Sequence, residues 1–534
     1  PHVLRLSVML LLLLLALLSP RAAGDPGPRP GSWTWTRTRP RPSPRDSDVY
    51  LDLDLSSVRH RVDTRFLSFT IDASLAEKER FMALLSSVKL QTLTKALRPA
   101  FLRFGGSRQD FMEFQPGESK GPRNLTSEES CGLTLLPWWL EEQLKEEWAQ
   151  FQEILIKEDL EADYGDLKFT ATTVDQLYSF SSCCGLDLVF GLNALLRTKE
   201  NSWDGANAAL LLEYCQARGY RMSWELGNEP NSFRKKAGVV VDGQQLGRDF
   251  AQLRELMSRF ELYRQAGLYG PDVSQPRHRR LYCCVCVCVC VCVCLSYYVC
   301  GRDTSLNDFL NPDILDTLND NITKILEVSV KHGAPGKPVW LGETSSAYGG
   351  GAPGLSNAFV AGFMWLDKLG LAASRGLQVV MRQALIGPGK YQLVDPNLDP
   401  FPDYWLSILH KRLVGRRVLR VEMLSQLGQG ERVRVYLHCA SKRRYAAHTH
   451  THTHTHTHTH HRKHQQTNSP QTVIKYPTCP RQNVMLNGVV LKMVDDRTFP
   501  DLRGTRLPPA DRLQLPPFSM AFFLFHEAGA PACS

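Results

Sequence analysis

Two stretches decide the reading of this chain: Met222-Ser-Trp-Glu-Leu-Gly-Asn-Glu-Pro230 and Val339-Trp-Leu-Gly-Glu-Thr344. In each, a short apolar run passes through a glycine into a glutamate. Their glutamates, Glu229 and Glu343, are 114 residues apart, or three units of 38. A strand plus its crossover helix takes about 30 residues or more. The spacing therefore puts the two stretches three strands apart in a repeating βα architecture. Six further apolar runs extend the series: Phe66–Asp72, Phe101–Gly106, Leu186–Asn193, Leu268–Asp272, Leu295–Gly301 and Leu377–Leu385. Segments between them, such as Asn207–Arg218 and Leu246–Arg264, carry apolar residues at helical spacing. Eight βα units predict an α/β fold, an eight-stranded TIM barrel. One gap is long: residues 107–168 form an acidic insertion, with a Glu-rich helical stretch around Leu140–Asp163. Insertions of this length act as lids, linkers or protease-sensitive segments; the alternative is a plain surface helix.

After residue 413 the pattern becomes strict alternation. Arg417–Met423, Val433–His438, Val489–Val494 and Ser519–Phe525 read as antiparallel strands of a β-sandwich, residues 413–534, and Val49–Leu55 alternates in the same way. The other boundaries read as follows. Residues 1–24, with Arg5, a leucine core and Arg21-Ala-Ala-Gly24, fit a signal peptide. Residues 25–47, rich in Pro, Arg and Thr, fit a disordered leader. Residues 48–118 hold the first two barrel strands, and 162–412 the rest of the barrel. The apolar run Leu4–Leu18 is shorter than the roughly 20 residues of a membrane span.

Lys and Arg number 63 against 54 Asp and Glu, giving +9. That modest excess suits an anionic partner and does not indicate nucleic acid. Eight of the 15 cysteines lie in Cys283–Cys300, mostly as alternating Cys-Val, and most histidines lie in the Thr-His tract of His448–His464. Both tracts, the second within 446–482, read as translated dinucleotide repeats. A metal-binding role is the rival reading, but strict alternation lacks the separated CxxC pairs of a zinc site. No metal and no cofactor are expected. Sequons stand at Asn124 and Asn321.

Both glutamates would lie at the C-terminal face of the barrel, where active sites of this architecture sit. Two carboxylates across such a mouth suit glycoside hydrolysis, one as acid and the other as nucleophile. Asn228, beside the acid, is placed to hydrogen-bond a sugar 2-hydroxyl.

At these residues the chain resembles the heparanase family, endo-β-glucuronidases that cleave heparan sulfate. The resemblance rests on Thr70–Ala73, Leu102-Arg-Phe-Gly-Gly106, Gly185–Arg197, Ser223–Phe233, Tyr269–Val273, Trp340–Pro353, Gly362–Gly370 and Met485–Gly488 with Leu491–Asp496. It implies a retaining mechanism with Glu229 as acid/base and Glu343 as nucleophile. It also implies a substrate cleft lined by Asp72, Ser107, Tyr348, Gly349, Gly350, Gln383, Gly389 and Tyr391, with Ser107 standing where the family has Thr. Arg302 falls near the cleft, and Arg277, Arg279 and Arg280 match a heparin-binding segment. Disulfides Cys131–Cys183 and Cys439–Cys533 are implied by position. So is a proenzyme whose linker, residues 119–161, is excised by a lysosomal protease after Leu160, leaving a heterodimer of two fragments. The implied partners are heparan sulfate and its proteoglycans. The implied locations are the secretory route, the lysosome, the extracellular matrix and the cell surface.

Two departures bear on function. The family's Trp-His-His-Tyr-Tyr on the sixth strand survives only as Tyr297-Tyr298, preceded by Cys294-Leu295-Ser296, and a basic segment is reduced to Lys168. The alternative function is therefore a non-catalytic heparan-sulfate-binding protein on the same fold.

Overall fold

The computed structural model describes residues 7–14, 49–117, 136–273, 291–331, 336–424, 433–441, 470–475, 483–506, 513, 515–516, 518–526 and 528–534. Eight parallel strands form the barrel: β1 (Leu67–Asp72), β2 (Phe101–Gly105), β3 (Asp187–Leu192), β4 (Ser223–Leu226), β5 (Leu268–Val273), β6 (Val291–Ser296), β7 (Val339–Thr344) and β8 (Val379–Ile386). They pair in sequence order, and β8 pairs with β1 to close the ring. The expected barrel is present, with strand boundaries within one or two residues of the apolar runs except at the sixth. There the strand is Val291–Ser296, and Val299–Cys300 forms a separate short pair with Ala347–Tyr348. The Cys-Val repeat thus supplies a barrel strand. Its alternating β-branched valines suit extended backbone, and the strand lies N-terminal to the expected Leu295–Gly301.

Strands covered on both faces should be apolar throughout, and β1 and β8 are buried at every position. The barrel interior is layered. Phe101, Val189, Trp340, Val379 and Met381 pack together at the N-terminal end, with Phe101 and Trp340 ring centroids 4.7 Å apart. Side chains on one face of a strand recur every second residue. Phe101 therefore passes the inward direction to Arg103, and Met381 passes it to Gln383. On β5 and β7 the inward residues step by three, from Tyr269 to Asp272 and from Trp340 to Glu343. Register irregularities between Tyr269 and Asp272, and between Leu341 and Thr344, accommodate the odd step. An apolar plug thus carries a layer of charge at the C-terminal mouth.

Outside the barrel, β9 (Val414–Leu424), β10 (Val433–Ala440), β11 (Pro470–Lys475) and β12 (Ser519–His526) belong to one ten-stranded sheet. Tyr50–Asp54 joins it against β9. The strands expected of the sandwich pair along one hydrogen-bonded path. Of the expected strand at Val489–Val494, Val489–Val490 is paired. Ser7–Leu14, inside the expected signal peptide, lies antiparallel between β10 and β12. The physical reason is the slot itself, since each neighbour would otherwise present unpaired N–H and C=O groups. The leader at 25–47 lies outside the described residues, as does the whole Thr-His tract of His448–His464. Cys439 and Cys533 form the expected disulfide, and Cys183 is disulfide-bonded; Cys131 lies outside the described residues.

Candidate active site

Arg103 organises the mouth. Its side chain is fully buried, and Nε and Nη2 donate to the two oxygens of Glu225 at 2.7 and 2.9 Å. Nη2 also donates to Asn228 Oδ1 at 2.8 Å, and Nη1 to Glu343 Oε2 at 3.0 Å. Asp272 Oδ2 lies 2.9 Å from Nη2. Both hydrogens of that nitrogen are already used, so Asp272 contributes charge rather than a hydrogen bond. One guanidinium facing three buried carboxylates leaves excess negative charge. Asp272 absorbs it: burial, and repulsion from Glu225, Glu343 and Glu229, push its carboxyl well above the usual range despite Arg103.

Glu343 lies near the end of β7. Its Oε1 accepts from Tyr297 Oη at 2.7 Å. Burial raises this carboxyl above its ordinary range, Arg103 and Tyr297 oppose the rise, and the charges of Glu229 and Asp72 add to it. Two fixed donors on a carboxylate favour the ionised, attacking form.

Glu229 is held differently. It follows β4 with φ 51° and ψ 59°, a left-handed conformation that costs a non-glycine residue about 1–2 kcal/mol. Such a bend persists only where its surroundings over-determine it. Glu229 N–H donates to the Asp272 carbonyl at 2.9 Å, and Ser232 N–H to the Glu229 carbonyl at 2.7 Å. One residue earlier, Asn228 N–H donates to Asp110 Oδ2 at 2.9 Å. Asp110 also accepts from Ala194 N–H at 3.3 Å. Lys236, on the short helix α2 (Phe233–Ala237), reaches back with Nζ 3.0 Å from Glu229 Oε2.

The other expected residues fall around this pair. Asp72 caps the turn after β1, accepting from Ser74 N–H at 3.0 Å and from Gln383 Nε2 at 2.8 Å. Tyr391 is buried, its ring centroid 6.3 Å from that of Tyr297. Gly350 and Gly389 meet closely: a Cβ on Gly389 would lie 3.0 Å from the Gly350 carbonyl. Lys390 N–H donates to that same carbonyl at 2.7 Å. Ser107 opens the turn after β2 and hydrogen-bonds Tyr164. Arg302 is exposed, and so is Tyr348. The side-chain oxygen of Asn228 is taken by Arg103, which leaves its amide nitrogen for any sugar hydroxyl. Arg277, Arg279, Arg280 and Asn124 lie outside the described residues; Asn321 is half-buried on the helix Pro312–Lys331.

Sequence reasoning missed Arg103, Glu225, Asp272, Asp110 and Lys236 as parts of the site. A signal existed for three of them. Arg103, Glu225 and Asp272 are ionisable residues inside otherwise apolar barrel strands, and a buried charge is tolerated only when paired. Asp110 and Lys236 sit in irregular segments and carry no such mark.

The insertion forms α1 (Trp138–Glu161). It packs its Trp148 and Phe151 against Phe81, with ring centroids 5.2 and 5.6 Å away. It also reaches the mouth. A Cβ on Gly350 would lie 3.3 Å from Ile156, and one on Gly349 3.6 Å from Leu160. Arg108 fastens its end, bonding Glu158 at 2.6 Å, Asp159 at 2.7 Å and, from the barrel side, Glu77 at 2.7 Å. Lys390 pairs with Glu153 at 2.6 Å. The plain surface helix is therefore not what is seen: α1 spans core and cleft loops together.

A profile of the glycosyl hydrolase family 79 N-terminal domain matches residues 145–370. Heparanase of Bos taurus is 44% identical over 499 residues, covering 89% of this chain and 90% of that protein. Heparanase of Mus musculus is 43% identical over 511 residues, covering 90% and 94%. Inactive heparanase-2 of Homo sapiens is 35% identical over 530 residues, covering 90% and 89%. Among solved structures, a 4-O-α-L-rhamnosyl-β-D-glucuronidase from Fusarium oxysporum superposes with a TM-score of 0.51 at 12% identity, covering 89% of this chain and 99% of its own. An α-L-arabinofuranosidase from Thermotoga maritima gives 0.52 at 12%, covering 90% and 100%. At such identities these two establish the barrel fold alone. With relatives above 40% identity across nine-tenths of both chains, and both strand-end glutamates in place, the chain belongs to the heparanase family of glycoside hydrolases.

Proposed function

We propose that the protein is an endo-β-glucuronidase that hydrolyses internal bonds of heparan sulfate with retention of configuration. The observation that carries this is the placement of two glutamates at the barrel mouth, Glu343 near the end of β7 gripped by Tyr297 and Arg103, and Glu229 just beyond β4 paired with Lys236. In the first half-reaction Glu229 gives its proton to the leaving glycosidic oxygen while Glu343 attacks the anomeric carbon. The resulting glycosyl-enzyme ester is hydrolysed when Glu229, now a carboxylate, takes a proton from the attacking water. Arg103 and Tyr297 hold Glu343 as the anion that attack requires. Asp72, Gln383 and the Gly350–Gly389 loops provide polar groups for the sugar, and Arg302 a cation for sulfate.

The finer reading follows α1. Its contacts with Gly349, Gly350 and Lys390 support a latent single chain. Excision of 119–161 by a lysosomal protease then opens the cleft and leaves two associated fragments. The composition of residues 1–24, with Arg5, a leucine core and Arg21-Ala-Ala-Gly24, supports a secretory route, with activity in lysosomes and on proteoglycans of the matrix and cell surface. The test is heparan sulfate cleavage before and after limited proteolysis of the full chain, with NMR of the first-formed reducing end. Cleavage that rises on proteolysis and yields the β anomer first is expected; an α anomer first overturns retention. The alternative, a heparan sulfate binder without turnover, draws on the sixth strand, where Ser296 precedes Tyr297. Binding with no cleavage in either form would establish it.

A further inference from the structure

Lys236 is the least expected charge at the mouth. Its side chain is only 5% exposed, although it stands on a helix of five residues. The first residue of that helix, Phe233, is completely buried and pins it. Gly227 allows this approach, because a Cβ there would lie 3.2 Å from the Phe233 ring and 2.8 Å from the Ala194 Cβ. The ammonium is thereby delivered 3.0 Å from Glu229 Oε2 and 3.5 Å from the Asn228 carbonyl.

Lys236 faces Glu229, Asp110 on the turn after β2, and Tyr164 beyond the end of α1. Around the pair, Asp159 on α1 also faces Lys236, and the buried Arg108, 5.3 Å over the Tyr164 ring, is paired with Glu77, Glu158 and Asp159. Glu229 faces Glu343 on β7, Asp272 on β5 and Tyr297 after β6. Burial works against the charge of Lys236, but Glu229, Asp110 and Tyr164 outweigh it and hold the lysine protonated. Arg103, a second buried cation of the mouth, is spent on Glu225, Asn228 and Glu343. Backbone hydrogen bonds fix the main chain of Glu229, yet they leave its carboxyl free to turn. Lys236 is the group that fixes the carboxyl.

We propose that Lys236 is a positioning residue for the reaction, holding the Glu229 carboxyl toward the cleft through the ammonium–carboxylate pair. The inference rests on the assignment of Glu229 as acid/base. In the first half-reaction the Glu229 proton passes to the leaving oxygen, and the new carboxylate stays paired with the ammonium. In the second, that carboxylate takes a proton from water. Lys236 keeps its three protons throughout. A cation within about 4 Å favours the charged form of a carboxyl. The ammonium therefore stabilises the carboxylate that remains on Glu229 once its proton has passed to the leaving oxygen.

The test uses the full chain after limited proteolysis, with parent, Lys236→Met, Lys236→Gln and Lys236→Arg compared. The uncharged variants should move the alkaline limb of kcat/KM on heparan sulfate to higher pH, by about one unit or more. They should lower kcat more than they raise KM. Lys236→Arg should return the limb toward the parent position. A limb that stays in place in a folded Lys236→Gln, or that Lys236→Arg fails to return, overturns the proposal. Lys236→Gln keeps a donor and guards against a folding failure of Lys236→Met. A readout without turnover separates this inference from the functional reading. The Glu229 carboxyl resonance is identified by 13C NMR from its loss in Glu229→Gln, and it should titrate at higher pH in Lys236→Gln. A parent that does not cleave but shows this movement sinks the enzyme reading and keeps the coupling. A parent that cleaves, with limb and resonance unmoved, sinks the coupling alone.

Discussion

The two sides of the cleft present the same functional group by opposite means. Glu343 lies near the end of β7 in extended backbone and is gripped at both oxygens, by Tyr297 at 2.7 Å and Arg103 at 3.0 Å. Glu229 stands two residues past a glycine on a left-handed bend and has a lysine on one oxygen. The side chain of Glu343 is 12% exposed and that of Glu229 27%. The difference matches the demands. A nucleophile has one task, to be an oriented anion, and rigid donors serve it. An acid/base must lose and regain a proton within each turnover, so an exposed oxygen and a single cation serve it better.

The largest break in this comparison is chemical. Glu343→Gln should abolish turnover on every glycoside, a loss of several orders of magnitude with the fold retained. Glu229→Gln should cost about 10²–10⁴-fold on heparan sulfate, and much less in the first half-reaction of an aryl glucuronide whose leaving group needs no proton. Burst kinetics on the aryl substrate would display the contrast. Equal losses on both substrates would mean the two roles are not divided as assigned.

Arg103 joins the two sides, so its removal tests whether they are separable. Arg103→Met leaves Glu225 and Glu343 buried without their cation. Breaking a buried ion pair costs about 3–5 kcal/mol, read as a lowered midpoint in thermal or denaturant unfolding, with activity falling alongside. Arg103→Lys should recover part of the stability and little of the rate, because an ammonium cannot fork between carboxylates.

The finest distinction is Tyr297→Phe. The lost hydrogen bond was lowering the Glu343 carboxyl against burial, so the carboxyl should rise further. Attack needs the anion, so activity is lost as pH falls, and the acid limb of kcat/KM should move to higher pH. A hydrogen bond to a charged group is worth about 1.5–3 kcal/mol, which is about tenfold or more in rate at the acid end. The alkaline limb should stay in place. Movement of both limbs would show that the two glutamates are not tuned independently.

How much of this was legible in the sequence depends on how local the cause is. The barrel was, because each strand carries its own apolar run and each of the two glutamates follows its own glycine. The sixth strand was displaced because its valines came inside a repeat whose origin drew attention from its β-forming pattern. The strand pairing beyond the barrel was not legible, since alternation shows that a strand has two faces and not which strands it pairs with. Ser7–Leu14 makes the point sharply. Composition reads as a cleavable leader, while its pairing depends on an opening between β10 and β12, strands more than 400 residues away. Arg103 was quoted within a matching motif, yet its role required four strands to converge. Lys236 is seven residues from Glu229 and was missed because only the bend after Gly227 brings them together.

Arg103 has one further consequence. It precedes the segment 119–161 in the chain, and Glu225, Asp272 and Glu343 all follow it. If that segment is excised as proposed, β1 and β2 remain on one fragment and the other six barrel strands on the second. The fragments would then be interlocked through β1–β8 and β2–β3 pairing and through the charge cluster itself. Separating them would open the ring and strand a buried guanidinium opposite its carboxylates. Dissociation and inactivation would then be a single event.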